Sequence, residues 1–327
     1  ETIETIYWGG GTPSQLDKED FETIFYYLHK NYSISSHPEI TLEANPDDLT
    51  PDYIAMLRTL PFNRLSMGIQ TFNESILKVL QRRHTARQAI EAFQNCRAAG
   101  FQNISIDLMY GLPGETLSTW QQDLDQALLL HPEHLSAYHL IYEEDTVLWK
   151  LREQHKVEEA DEDLSVSLFS TLIDRLTSEG YDHYEISNFS LPGLYSRHNS
   201  SYWTEKKYLG CGPSAHSYNG VSRQWNVASL DTYIKGISAG TPVFEIEELD
   251  LYTRYNDFVI TRIRTEWGMP LSKLRDEFGE KLYDYCLRMA APHLKQGTLE
   301  LVNDILKLTR KGIFISDGIM SDMLWTD

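Results

Sequence analysis

The residues best placed to do chemistry are a glycine loop and three polar residues that follow it at regular intervals. Gly9-Gly10-Gly11-Thr12-Pro13 comes directly after a strand-like run, Ile3–Trp8. Lacking Cβ atoms, the glycines let backbone N–H groups approach a ligand, so the loop can hold a carboxylate, a phosphate or an amino group. It is not a dinucleotide fingerprint, because Gly-x-Gly-x-x-Gly is absent, and not a P-loop, because no Gly-Lys-Ser/Thr follows. The other reading is a tight turn before a helix, with Ser14 and Asp17 as caps. Glu43, in Thr41-Leu42-Glu43-Ala44-Asn45-Pro46, puts an acid at the end of a buried strand, where a carboxylate needs a partner. A ribose diol is one such partner and a neighbouring arginine another. Gln70 and Asp107 raise the same question at the next two strand ends. Three polar tips in succession, with a glycine loop, point to a site for a polar small molecule.

Three further stretches concentrate reactive types. Arg82-Arg83-His84 is a basic knot in an acidic chain. Arginine suits bidentate recognition of carboxylates, and cations also suit a helix C-terminus. Arg197-His198-Asn199-Ser200-Ser201-Tyr202-Trp203 brings two aromatics, a histidine and an arginine into seven loop-like residues. Such a set can bind a macrocycle, with rings stacking, imidazole as axial ligand and arginine meeting a carboxylate. It reads equally as a capped turn whose aromatics pack on the domain. Tyr208–Ser217 is a second small-residue loop, and its Cys211 has no base beside it in sequence.

These residues need a scaffold, and the first 142 residues supply one. Apolar runs at Ile3–Trp8, Ile40–Ala44, Arg64–Gln70, Ile104–Tyr110 and Leu135–Tyr142 alternate with helical patterns at Lys18–Lys30, Pro51–Leu60, Glu74–Leu80, Ala86–Ala99 and Leu117–Leu130. From Gly9 through Glu43, Gln70 and Asp107 to Ile141 the tips are 34, 27, 37 and 34 residues apart, each the length of a βα unit. Five such units predict a parallel sheet, with the site at the C-terminal ends of its strands. Gly100 sits where a helix C-cap belongs, and Thr50-Pro51-Asp52 is a helix start.

The texture changes at Glu143. Residues 143–163 hold nine acids and three bases and read as a solvated helical connection. A helix over Leu164–Ser178, a strand-like Tyr181–Ile186 and a polar, aromatic stretch to about residue 227 follow. The expected domains are 1–230 and a small one at 250–327. In the latter, helices near Tyr252–Thr265, Leu271–Phe278 and Leu282–Gln296 precede a hairpin turning at Asn303-Asp304 and a helical tail, Lys311–Leu324, a winged-helix-like α+β order. Residues 251–327 carry 11 bases and 11 acids, which makes this a poor DNA reader.

Across 327 residues, 29 Lys+Arg against 48 Asp+Glu give a net charge of −19, which excludes a broad nucleic-acid surface. No apolar stretch approaches the roughly 20 residues of a membrane span. The three cysteines, Cys96, Cys211 and Cys286, are too scattered for a disulfide framework or a CxxC metal site, so a cytoplasmic location is expected.

Four blocks resemble one family. Ile6-Tyr7-Trp8-Gly9-Gly10-Gly11-Thr12-Pro13-Ser14, Leu65–Phe72, Ile106–Pro113 and the loop ending Ala215-His216-Ser217 are similar to radical S-adenosylmethionine (SAM) proteins related to oxygen-independent coproporphyrinogen III oxidase. The resemblance runs from residue 3 into the C-terminal domain. It implies an α/β fold, an incomplete (β/α)6 TIM-like barrel. It also implies that Gly10, Gly11 and Thr12 hold the methionyl part of SAM and that Glu43 holds the ribose. Gln70, Arg82 and Asp107 match further SAM contacts, and Ile141 matches a backbone contact near the adenosine. The family also ligates a [4Fe–4S] cluster through Cys-x3-Cys-x2-Cys, a motif absent here. The expectation is that it lies in about 40–55 residues upstream of Glu1, the size of one βα unit with its loop.

Within the family, one branch decarboxylates coproporphyrinogen III to protoporphyrinogen IX and another consists of heme chaperones, whose heme motif is His-Asn-x-x-Tyr-Trp. His198-Asn199-Ser200-Ser201-Tyr202-Trp203 resembles that motif, and Pro13-Ser14 after the glycines and the short length also look like the chaperone branch. The expected function is therefore a heme chaperone, with His198, Tyr202 and Trp203 at heme and the oxidase as the alternative. Its expected partners are heme or a porphyrinogen and a heme-acceptor protein, with a dimer left open.

Overall fold

The first five strands carry side chains of opposite kind on their two faces, and this alternation organises the sheet. In the computed structural model, which describes residues 1–326, the chain begins β1 (Thr2–Trp8), α1 (Lys18–Asn31), β2 (Ser33–Ala44), α2 (Pro51–Leu57), β3 (Arg64–Gln70), α3 (Glu74–Val79), α4 (Ala86–Ala98), β4 (Ile104–Tyr110), α5 (Leu117–Leu130) and β5 (His134–His139). Pairing is parallel from β1 to β5. Register sets Glu43 beside Ser66, Ser66 beside Ser105 and Ser105 beside His134. One residue on, Ala44 lies beside Met67, Met67 beside Ile106 and Ile106 beside Leu135. Neighbours in a row share a face, so one face of the sheet is polar and the other apolar. The apolar face is fully buried at Leu42, Leu65, Met67, Ile106 and Leu135.

The fold is the expected α/β type, with the sheet curled into a half-barrel. Its helices start on side-chain caps. Thr50 accepts from the Tyr53 amide, Thr85 and Gln88 form a capping box, and so do Thr116 and Thr119. Gly100, at φ +97°, makes the turn into β4. After β5 come α6 (Val147–Glu153), α7 (Glu162–Ser178), β6 (Asp182–Glu185), β7 (Asn188–Ser190) and α8 (Arg197–Tyr202). The acidic connection is helical over α6 and at Glu162-Asp163, where α7 starts, the rest being turn and coil. β7 runs antiparallel to β5, and β6 is outermost in the seven-stranded sheet.

The chain divides into two compact units, Glu1–His183 with Ser187–His198, and Tyr184–Ile186 with Asn199 onward. This division falls upstream of the interval 230–250 because the aromatic stretch is folded. β8 (His216–Tyr218), β9 (Ser222–Asn226), α9 (Leu230–Ser238) and β10 (Phe244–Glu248) follow one another there, and the strands form an antiparallel sheet in the order β10-β9-β8. Next come α10 (Leu251–Ile263), β11 (Met269–Pro270), α11 (Leu271–Gln296), β12 (Leu299–Val302), β13 (Ile305–Leu308), α12 (Arg310–Ile313) and α13 (Ser316–Met323). Gly279, at φ +79°, breaks α11 between the two helices read from the pattern. Asn303 and Asp304 both take positive φ, 51° and 69°, as a two-residue hairpin turn requires. Asp327, the last residue of the expected C-terminal domain, lies outside the described residues. Among the described residues no helix is long and apolar enough to cross a membrane.

Candidate functional site

The glycine loop is shaped by what stands beneath it. A Cβ on Gly9 would lie 2.7 Å from both the Glu43 carboxylate and the Tyr7 ring, so only glycine lets the chain pass. Gly10 has φ +79°, and Cβ atoms on Gly10 or Gly11 would meet nothing within 4 Å. Asp17 caps α1 as expected, but Ser14 does not cap. Its hydroxyl donates to Asp48 Oδ2 at 2.6 Å, tying the loop to the turn after β2. Thr12 precedes the short helical turn Pro13–Gln15 and makes no capping bond.

Each strand tip holds its polar residue differently. Glu43 Oε1 accepts from the Tyr7 hydroxyl at 2.7 Å, so its protein partner is a phenol and not an arginine. Burial, then the Glu43 charge, pushes the Tyr7 phenol well above its ordinary value. Asp107 accepts from Ser66 Oγ at 3.2 Å and from Ser136. Burial raises its carboxyl to about 6, while those hydroxyls and the Arg64 charge pull it down. Gln70, at φ +70°, sits where the β3–β4 register slips, and its amide closes over Gly68. Ile141 lies beyond the end of β5 with its side chain 75% exposed.

The basic knot divides. Arg82 turns inward and donates to Asn45 Oδ1 at 2.7 Å and the Gly68 carbonyl at 3.0 Å. It forms no ion pair among the described residues, and burial lowers its pKa. Arg83 turns outward to Asp47 and Asp48, at 2.9 and 3.0 Å. His84 is buried and its Nε2 meets the Ile69 carbonyl at 3.1 Å, which braces the end of β3. The mouth thus presents an arginine and an aspartate, neither neutralised by an opposite charge within hydrogen-bond reach. That arrangement suits a zwitterion, and the open Gly10–Gly11 backbone suits its polar groups.

The His198 segment is a short helix, not a loop. His198 stacks on Tyr7 with ring centroids 4.6 Å apart, and its Nδ1 lies 2.9 Å from Thr5 Oγ1. Burial, reinforced by the Arg64 charge, lowers its imidazole to about 4, so it is neutral at neutral pH. Glu39, 6% exposed, accepts from the amides of Arg197 and His198 at 3.0 and 2.9 Å, satisfying two donors of the first helical turn. The Arg197 guanidinium donates to the His37 carbonyl. Past the unit boundary, Tyr202 packs edge-on against Tyr208, and Trp203 lies beneath Arg264 at 4.2 Å.

Comparison with known proteins places this geometry. Residues 1–127 match the Radical SAM superfamily and residues 249–315 the HemN C-terminal domain. Heme chaperone HemW of Lactococcus lactis is 32% identical over 100% of this chain and 86% of its own length. The chain belongs to the radical SAM superfamily, among the HemW proteins. HemW of Bacillus subtilis is 30% identical over 98% of this chain and 86% of its own length. The fold matches that of HemN, the coproporphyrinogen III oxidase of Escherichia coli, with a TM-score of 0.84 at 23% identity, over 98% of this chain and 78% of that one.

Radical SAM proteins use SAM with a [4Fe–4S] cluster. The cysteines of this HemW relative do not form a ligand set for one. Cys96 and Cys286 are buried, Cys211 is exposed, and the described residues contain no group of three or more His, Cys, Asp or Glu able to hold a metal ion. No step through a cluster is assigned to them. Tyr7 and Arg64, both central to the polar face, escaped the reading of the sequence. Arg64-Leu65-Ser66-Met67-Gly68-Ile69-Gln70 alternates polar with apolar, but it is the pairing of Tyr7 with Thr41 and of Thr41 with Arg64 that puts both on the polar face.

Proposed function

We propose that this chain is a HemW-type heme chaperone that binds SAM at its strand tips and heme through the His198 motif, and that it passes heme to acceptor proteins. Gly10, Gly11 and Thr12 hold the methionyl part of SAM by backbone contacts. Arg82 meets the SAM carboxylate and Asp107 its ammonium, since each lacks an opposite charge of its own. Glu43 keeps Oε2 for the ribose while Oε1 is held by Tyr7. Gln70 and the Ile141 backbone complete the pocket on either side.

The observation that carries the chaperone reading is the run His198-Asn199-x-x-Tyr202-Trp203, supported by curated relatives named heme chaperone that match along the whole chain. A neutral imidazole is the protonation state that ligates iron, and burial keeps His198 in it. Tyr202 and Trp203 supply aromatic surface for the macrocycle. The likeness to the oxidase is one of fold. The test assays the protein for heme transfer to an apo-hemoprotein and for decarboxylation of coproporphyrinogen III. Transfer without decarboxylation supports the chaperone, and turnover to protoporphyrinogen IX contradicts it.

A further inference from the structure

Arg64 is 1% exposed, yet its guanidinium makes no hydrogen bond or ion pair among the described residues, and its Nε is buried without a partner. Leaving a charge unmet in the interior is costly, and an unpaired guanidinium is the costly half of an ion pair. Its row of the sheet adds a second unmet group. Thr41, directly beside Arg64 in the β2–β3 register, is fully buried, and its Oγ1 has no partner either. Tyr7 follows in the same row, beside Thr41, and stacks on His198. Ser66, two residues along β3 on the same face, donates its hydroxyl to Asp107. Arg64 stands at the opposite end of β3 from the Gln70 tip, although its charge is felt at Asp107.

We propose that Arg64 anchors a carboxylate subsite within the half-barrel, and that the carboxylate is a propionate of the tetrapyrrole. The fork of a guanidinium matches a carboxylate bidentately, and the Thr41 hydroxyl adds a neutral donor beside it. Tyr7 stands between His198, on which it stacks, and the Thr41–Arg64 pair, so the imidazole and the guanidinium flank one short row of the sheet. This identity of the ligand rests on the heme reading above, whereas the carboxylate chemistry rests on Arg64 and Thr41 alone.

The test titrates the full chain with heme and with iron protoporphyrin IX dimethyl ester, whose propionates are blocked, in wild type, Arg64→Gln, Arg64→Lys and His198→Ala. Wild type should prefer heme over the ester by about tenfold or more, the scale of one good charge-assisted contact. Arg64→Gln should reduce that preference to about twofold or less and raise the unfolding midpoint of the ligand-free protein, since it removes an unpaired charge. Arg64→Lys keeps the charge without the fork and should fall between. His198→Ala should weaken both ligands and leave the preference intact. A folded Arg64→Gln that prefers heme as strongly as wild type overturns the subsite while leaving the chaperone reading in place. Absence of heme binding in wild type instead removes that reading and the propionate with it. Sodium propionate then tests the carboxylate chemistry alone. A thermal shift in wild type that is lost in Arg64→Gln upholds it, and no difference between the two overturns it.

Discussion

Glu43, Gln70 and Asp107 stand on parallel strands whose register fixes which neighbours they meet, and Arg82 is held against that frame by Asn45 and Gly68. His198, Tyr202 and Trp203 stand on a helix of six residues and the residue after it, with the unit boundary falling between His198 and Asn199. The first set is held by hydrogen bonding along a sheet, and its Arg82 and Asp107 have no opposite charge within hydrogen-bond reach among the described residues. In the second, His198 already stacks on Tyr7 and Trp203 already carries Arg264, so binding there must exchange existing contacts for new ones. Polar groups on a rigid sheet can therefore be placed by register, while a motif on a short helix has to be placed by its contacts.

The two regions should respond to pH in opposite senses, and this is the largest difference expected. His198 has a folded pKa of about 4, below its unfolded value, so its contribution to stability is present above about pH 6.5 and is lost as pH falls toward 4. Asp107 has a folded pKa of about 6, above its unfolded value, so its contribution is complete below about pH 4 and is lost as pH rises through 6. At about 1.4 kcal/mol per pKa unit, each amounts to at most about 3 kcal/mol. Denaturant unfolding across this range should show His198→Gln losing the first dependence and Asp107→Asn losing the second. Parallel responses of the two variants would break the contrast.

Next in size is the effect on SAM. Asp107→Ala or Glu43→Ala should weaken SAM binding by about 2 kcal/mol, the cost of leaving a charged partner unmet. Calorimetry reads this directly, and unchanged affinity in both variants would make these acids structural. Gly9→Val should cost about 1–2 kcal/mol of stability, because its Cβ collides with Glu43 and Tyr7. Gly11→Ala, which meets nothing, should cost less than half of that. Smallest is Arg83→Ala. Its pair with Asp47 and Asp48 is solvent-exposed on the arginine side, so about 0.5 kcal/mol or less is expected, with SAM affinity unchanged. A clear loss of SAM binding there would mean that the basic knot acts as one unit.

Much of the scaffold was readable from the chain. β3, β4 and α5 begin and end where their patterns do, because polar or turn residues bracket each run. β2 begins earlier than its apolar run, at Ser33, because Ser33–Pro38 is polar and is held by pairing with β1, which periodicity does not report. The sheet over residues 216–248 was missed for a similar reason. Its strands are short, and Phe244 and Ile246 on β10 are exposed, so no buried period stands out. At the site, Glu43, Gln70 and Asp107 were legible as tips, but their partners were not. Tyr7 and Arg64 lie in strands that read as apolar, and only register shows that they share the polar face.

The central claim is that this chain binds heme through His198. The most direct measurement is a Soret titration of the full chain with heme, wild type against His198→Ala. Saturable binding that weakens at least tenfold in the variant, with the far-ultraviolet circular dichroism unchanged, is the predicted result. Heme binding of equal strength in both proteins, or none in wild type, would contradict it.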